Sequence, residues 1–198
     1  GVDNMLGTNP LVFAMPTDED FPFTNDYATS IVQRGKIEQW AREGKSCPEG
    51  LVVDQEGRSS TDPVQILQDL IKGRAALAPI GGLTEETGGY KGYGFATVVE
   101  ILSAALSQAA FLKRLGGKDA EGKDIPIPLG HFFLAIDIEC FTDLAEFRKT
   151  TGDILRTLRA STKAASDLLC GSTWAAGSCG SSSPAPRAGC ARSASTTC

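Results

Sequence analysis

The chain has 198 residues, of which 41% are hydrophobic and 22% charged, with a formal net charge of −5. That composition supplies enough apolar material for a core, and its acidic balance excludes the basic face that a nucleic-acid binder needs. The most apolar stretch, residues 95–112, is about as long as a membrane span, but Glu100, Ser103, Ser107 and Gln108 interrupt it, so it reads as a buried helix and no membrane partner is expected.

In chain order, "NPLVFAMPT" reads as a short strand and "PTDEDFPFTND" as a turn-rich connection. A helical pattern then runs over 26–42, with Ile31, Ile37, Trp40 and Ala41 loosely on one face, Gly35 weakening it and Gly44 stopping it. "CPEGLVVDQEGRSSTDP" holds a brief strand and a polar loop. Residues 64–72 have helical spacing at Ile66, Leu67, Leu70 and Ile71, and "LAPIGGLTEETGGYKG" is a loop. The strongest helix covers 95–115 and closes at Gly116 and Gly117. A loop follows, and "HFFLAIDIE" alternates as a strand with Phe132, Leu134, Ile136 and Ile138 on one face. A last helix spans 143–159. Its start is marked by Asp143 and Glu146, and its stripe is Leu144, Phe147, Ile154, Leu155 and Leu158.

Composition changes near residue 165. Residues 166–198 carry four of the six cysteines, many serines, no lysine and no apolar period, so a disordered or aberrant tail is expected, with translation in a shifted frame after about Ala164 as one origin. The cysteine spacings match no zinc pattern, and no metal site is expected. The opening "GVDNMLGTNP" shows no signal peptide and reads like the middle of a protein. A soluble, cytoplasmic protein is expected.

Two stretches invite a ligand. "GGYKGYGFA" puts four glycines and Lys91 before a helix, where backbone N–H groups and the helix dipole favour an anion. It is not a P-loop, which needs Ser or Thr after the lysine, nor a dinucleotide fingerprint, because Thr97 takes the third glycine position. A glycine-rich turn with a solvated lysine is the plain alternative. In "NDYATSIVQRGK", Asp26, Thr29 and Ser30 can cap the following helix, or their polar groups can face a cofactor. The single histidine, His131, opens the last strand with no nucleophile tied to it.

Taken in order, "LGTNPLVFAMPT", "DYATSIVQRGKIE", "EGLVVDQEGRSSTDP", "GGYKGYGFATVVEILSAALS", "GHFFLAIDIECF" and "EFRKTTGDILRTLRAS" resemble the malate/L-lactate dehydrogenase family. This non-Rossmann group also holds ureidoglycolate dehydrogenase, L-sulfolactate dehydrogenase and 2,3-diketo-L-gulonate reductase. The resemblance runs from about Leu6 to Lys163 and is most like malate dehydrogenase. It implies an α+β cofactor domain with a mixed, largely antiparallel sheet packed by helices, a homodimer, and hydride transfer between NAD or NADP and a 2-oxo/2-hydroxy acid.

It also implies site residues. Asn25, Asp26, Tyr27, Ala28, Thr29, Ser30 and Ile31 would line the cofactor together with Tyr90 and Lys91, while Thr8, Asn9 and Pro10, behind Gly7, would lie near the substrate. The family's catalytic histidine matches sequence before "GTNP", so none of the residues here inherits that role, and His131 matches a different position. The expected organisation is therefore a partial NAD(P)-binding oxidoreductase domain over 1–165, lacking its N-terminal part, followed by the tail. The expected function is a fragment of a 2-hydroxy-acid dehydrogenase, or else a catalytically dead remnant that binds cofactor or dimerises.

Overall fold

The computed structural model of the chain describes residues 2–119 and 121–162. The tail and its boundary at residues 165 and 166 lie outside the described residues. Strand β1 (Leu11–Met15) pairs antiparallel with β2 (Phe23–Tyr27), Phe13 facing Asn25 across the ladder. The connection between them is held by Thr17, which is buried, donates its hydroxyl to Phe21 O at 2.6 Å and accepts from Glu19 N at 3.1 Å.

Helix α1 (Arg34–Glu43) follows and stops at Gly44, whose φ of 63° suits the left-handed turn that closes a helix. Strand β3 (Val52–Asp54), helix α2 (Pro63–Ile71) and strand β4 (Ala75–Leu77) come next. Asp62 caps α2 by accepting from Val64 N and Gln65 N, and Pro63 occupies the first turn, where its missing N–H costs nothing. Strands β3 and β4 form a second antiparallel pair. The core lies between this pair and helices α1 and α2, centred on Val32, Ile37, Cys47, Val52, Ile66 and Ala75.

Helix α3 (Gly89–Glu100) runs into a π-helical turn (Ile101–Ala105). A 3₁₀ turn (Leu112–Gly116), a second one (Ile138–Cys140) and helix α4 (Leu144–Ala160) complete the described residues. Asp143 caps α4, accepting from Ala145 N at 2.8 Å and Glu146 N at 3.1 Å. The fold class is α+β, with its described strands in two small antiparallel pairs. No described helix is long and apolar enough to cross a membrane.

Several expectations are corrected. The helix expected over 26–42 begins only at Arg34, because residues 25–27 belong to β2 and the next four are spent on neighbouring backbone: Thr29 N donates to Thr8 O and Ile31 N to Ala78 O, both at 2.8 Å. Strand β4 lies just before the expected "LAPIGG" loop, and its Leu77 begins that stretch. The helix expected over 95–115 starts six residues earlier and ends sooner. Gly88, at φ 79°, opens it, and Gln108 and Leu112, at φ 54° and 50°, cannot continue it.

Residues 131–137 are not a paired strand. They carry no regular secondary structure and no ladder partner among the described residues, and Phe133, Leu134 and Ile136 are 89%, 72% and 64% exposed. The alternation that reads as a strand marks a face that stays largely open, with Phe132, Leu134 and Ile136 exposed and Ile138 half-buried. The stripe on α4 is only partly covered: Leu155 is buried and Leu144 and Phe147 are half-buried, but Ile154 and Leu158 are exposed.

Helix α4 is tied instead to the connection after β1. Arg148 Nε donates to Thr17 O at 2.9 Å, and Arg156 forks onto Asp18 with bonds of 2.9 and 3.0 Å. Arg159 pairs with Glu19. Gly152 makes room for this: a Cβ there would collide with the Asp18 carboxylate.

Candidate functional site

The three stretches singled out in the sequence meet at one junction. Thr29, fully buried, is its hub. Its N–H donates to Thr8 O, its hydroxyl reaches Thr8 O and Asn9 O at 3.0 Å each, and its carbonyl accepts from Ile80 N at 2.9 Å. Ser30 bridges to Pro79 in antiparallel fashion. The segment after β2 is therefore a short extended piece, with the Gly7-Thr8-Asn9-Pro10 loop on one side and residues 78–80 on the other.

This arrangement removes the capping reading. Helix α1 is capped by Gln33 with no side-chain bond, and the Thr29 hydroxyl is spent on the loop. Ser30 Oγ donates to Val32 O at 2.9 Å. Asn25, Tyr27 and Ala28 are half-buried, whereas Asp26 and Ile31 are exposed.

Helix α3 enters the junction through its glycines. A Cβ on Gly92 would collide with the Ile80 backbone, one on Gly89 with the Gly82 carbonyl, and one on Gly81 with the backbone at Gly88. The glycine-rich run is thus fixed by backbone meeting backbone, which only a residue without Cβ allows. Gly94, by contrast, faces open space.

The residues of "GGYKG" are not a loop: Gly88 caps α3 and residues 89–92 form its first turn. Tyr90 and Lys91 therefore stand at a helix N-terminus, Tyr90 being 61% exposed and the Lys91 ammonium 5.7 Å from its ring centroid. A groove of about 330 Å³ opens beside them, lined by Leu83, Thr84, Glu85 and Tyr90. A slightly larger one lies on the outer face of α4 and touches none of these residues.

The Gly7-Thr8-Asn9-Pro10 loop is also held from the far end of α3. Asn9 Nδ2 donates to Ala96 O and to Glu100 Oε2, each at 2.9 Å. In the sequence Glu100 stands out only as a charge that interrupts an apolar stretch. A lone carboxylate inside an apolar helix was the available signal, since a charge kept there needs partners. His131 sits apart from this bonding, opening the exposed segment with its ring 6.3 Å from that of Phe133.

The described fold and junction belong to an α+β protein that wraps a glycine-rich helix start, a polar loop and a short extended segment around one another. Comparison with known proteins gives that class its family. The malate/L-lactate dehydrogenase family model matches residues 1–170, and the chain belongs to that family.

Among its relatives, malate dehydrogenase of Pyrococcus horikoshii is 39% identical over 163 residues, which are 82% of this chain and 42% of that protein. L-sulfolactate dehydrogenase of Methanocaldococcus jannaschii is 32% identical over 161 residues, 81% of this chain and 42% of the relative. The crystal structure of malate dehydrogenase from Entamoeba histolytica superposes with a TM-score of 0.75 at 44% identity, covering 83% of this chain and 45% of that one. The chain spans less than half the length of the relatives it matches.

Proposed function

We propose that this chain is the cofactor-holding part of a nicotinamide-dependent dehydrogenase that moves a hydride between NAD or NADP and a 2-oxo/2-hydroxy acid of the malate type. The observation that carries the reading is the junction at Thr29, where the loop expected near substrate, the segment expected to line the cofactor and the start of α3 share hydrogen bonds and backbone contact. The relatives named malate and sulfolactate dehydrogenase support the substrate class.

The residues present fit an anionic dinucleotide. Tyr90 offers an exposed ring and Lys91 a cation beside an open groove, so the side chains rather than the backbone N–H groups of Gly88, Gly89 and Lys91, which are given to Glu85 O, Thr84 O and Gly88 O, would meet the anion. The nicotinamide, when bound, supplies the hydride. The protein's share is to hold it, with Asn25, Asp26, Tyr27, Ala28, Thr29, Ser30, Ile31, Tyr90 and Lys91 on the cofactor side and Thr8, Asn9 and Pro10 on the substrate side.

A non-Rossmann cofactor domain, a homodimer and a cytoplasmic setting go with this reading. The family match over residues 1–170 supports taking the chain to about residue 165 as its dehydrogenase part.

The test is a fluorescence titration of the purified chain with NADH and with NADPH. Saturable binding of at least one is expected, and addition of oxaloacetate, pyruvate or sulfopyruvate should change the bound cofactor's emission. Binding of neither dinucleotide at millimolar concentration would overturn the reading.

A further inference from the structure

Among the described residues three non-glycines have positive φ: Asn9 at 36°, Gln108 at 54° and Leu112 at 50°. Asparagine tolerates that region, but leucine rarely adopts it. Two of the three are held by one side chain. Glu100 Oε2 accepts from Asn9 Nδ2 at 2.9 Å, and its Oε1 accepts from Leu112 N at 2.7 Å.

Glu100 lies where α3 passes into the π-helical turn, inside an otherwise apolar stretch, so nothing in helix building calls for a carboxylate there and a charge kept there needs partners. The bonds continue beyond it. The Asn9 carbonyl accepts from the Thr29 hydroxyl, and Thr29 O accepts from Ile80 N, against which Gly92 of the same helix packs. The loop is thus fixed to α3 at both ends, through Thr29 and Ile80 near its start and through Glu100 at its finish.

We propose that Glu100 is a positioning residue whose two carboxylate oxygens lock the Gly7-Thr8-Asn9-Pro10 loop and the Leu112 turn onto α3, so that the substrate-side loop and the cofactor-side helix keep one relative placement. The roles of the two sides rest on the function proposed above; the lock itself rests on the bonds. Both oxygens are required. A glutamine accepts on one oxygen and turns an NH₂ toward the other donor, and an aspartate is one methylene too short to reach both.

The experiment is amide hydrogen exchange on the purified chain and on Glu100→Gln, read at Leu112, at Thr29, whose N–H donates to Thr8 O, and at Ile66 in the core. Exchange at both Leu112 and Thr29 is expected to quicken about tenfold or more, the scale of a lost charge-assisted bond, with Ile66 unchanged. Faster exchange at Leu112 alone would make Glu100 a local cap and overturn the proposal.

If Glu100→Gln also opens Ile66, Asn9→Ala decides. It leaves the Glu100–Leu112 bond intact, so coupling still expects Leu112 to quicken, and an unchanged Leu112 overturns it. NADH titration separates the two readings. A wild-type chain that binds no dinucleotide defeats the proposed function while the exchange data still judge Glu100. A chain that binds NADH equally well with and without Glu100→Gln defeats the positioning role toward cofactor. A severalfold loss of affinity is expected, with Glu100→Asp failing to restore it.

Discussion

Gly92 and Ile80 touch backbone to backbone: a Cβ on Gly92 would fall inside the Ile80 carbonyl, amide nitrogen and carbon together. No side-chain rotation relieves such a clash, so the helix or the Ile80 turn must move. Gly92→Ala is expected to lower stability by about 2 kcal/mol or more, in line with overpacked cores. Gly94→Ala, two residues along the same helix and facing open space, is expected to raise it by about 0.5–1 kcal/mol through helix propensity. Thermal midpoints of the two variants should therefore move in opposite directions, and a shared direction would show that α3 does not sit against Ile80.

That contrast also shows what the sequence could and could not disclose. The stop of α1 and the start of α4 were legible because Gly44 and Asp143 act within one turn, and α2 was legible from the spacing of Ile66, Leu67, Leu70 and Ile71. The family was legible from six ordered motifs. Strand β2 was not, because Asp26 and Thr29 are equally suited to a cap, and only the distant Thr8 and Ala78 backbone decides for an extended path. The glycines around Lys91 were noticed for a ligand's sake. Their contacts with Ile80 and Gly82 depend on a loop ten residues upstream, which no local pattern reveals. Residues 131–137 mislead in the other direction, since alternation records a face to be buried and not the partner that buries it.

Lys91 should matter for dinucleotide affinity more than for any chemical step. It stands exposed in the first turn of α3, away from the Asn9 end of that helix. A cation that grips a remote phosphate binds ground and transition states alike. Lys91→Ala is expected to weaken NADH or NADPH binding about tenfold, with the loss shrinking as salt is raised. In any turnover, apparent KM for the dinucleotide should rise more than kcat falls. Unchanged affinity at low salt would leave Lys91 as a solvated side chain stacked on Tyr90.

His131 is not expected to act as the proton donor. It opens an exposed segment, and the ring contact it makes among the described residues is with Phe133, not with the Thr29 junction. A well-placed acid is worth about 10²–10⁴-fold in rate. Any turnover of malate, lactate or sulfolactate should therefore survive His131→Ala without a loss of that size. His131→Ala should leave dinucleotide binding untouched. Steady turnover that His131→Ala abolishes would reverse this assignment and make His131 the catalytic acid.

The attachment of α4 should show in acid. The Asp18 carboxyl is held below its ordinary pKa, first by its hydrogen bonds from Arg156 and then by that guanidinium's charge, against the opposing effect of desolvation. A carboxyl whose folded pKa is depressed contributes stability that is complete above its unfolded pKa and is lost as pH falls through the folded one. Wild-type protein should thus lose midpoint as pH falls through and below the ordinary carboxylate range, and Asp18→Asn should lose less over that interval while starting lower at neutral pH. Other lowered carboxyls, those of Glu43, Asp54, Asp69 and Glu86, remain in both proteins, so the difference between the two curves isolates Asp18. Gly152→Ala should act like Asp18→Asn without touching the charge, because its methyl displaces the Asp18 carboxylate from the Arg156 fork. Parallel acid curves for wild type and Asp18→Asn, or a Gly152→Ala protein that keeps the full acid slope, would mean that α4 is held by Arg148 and Arg159 and that the Asp18–Arg156 pair is only a solvated surface contact.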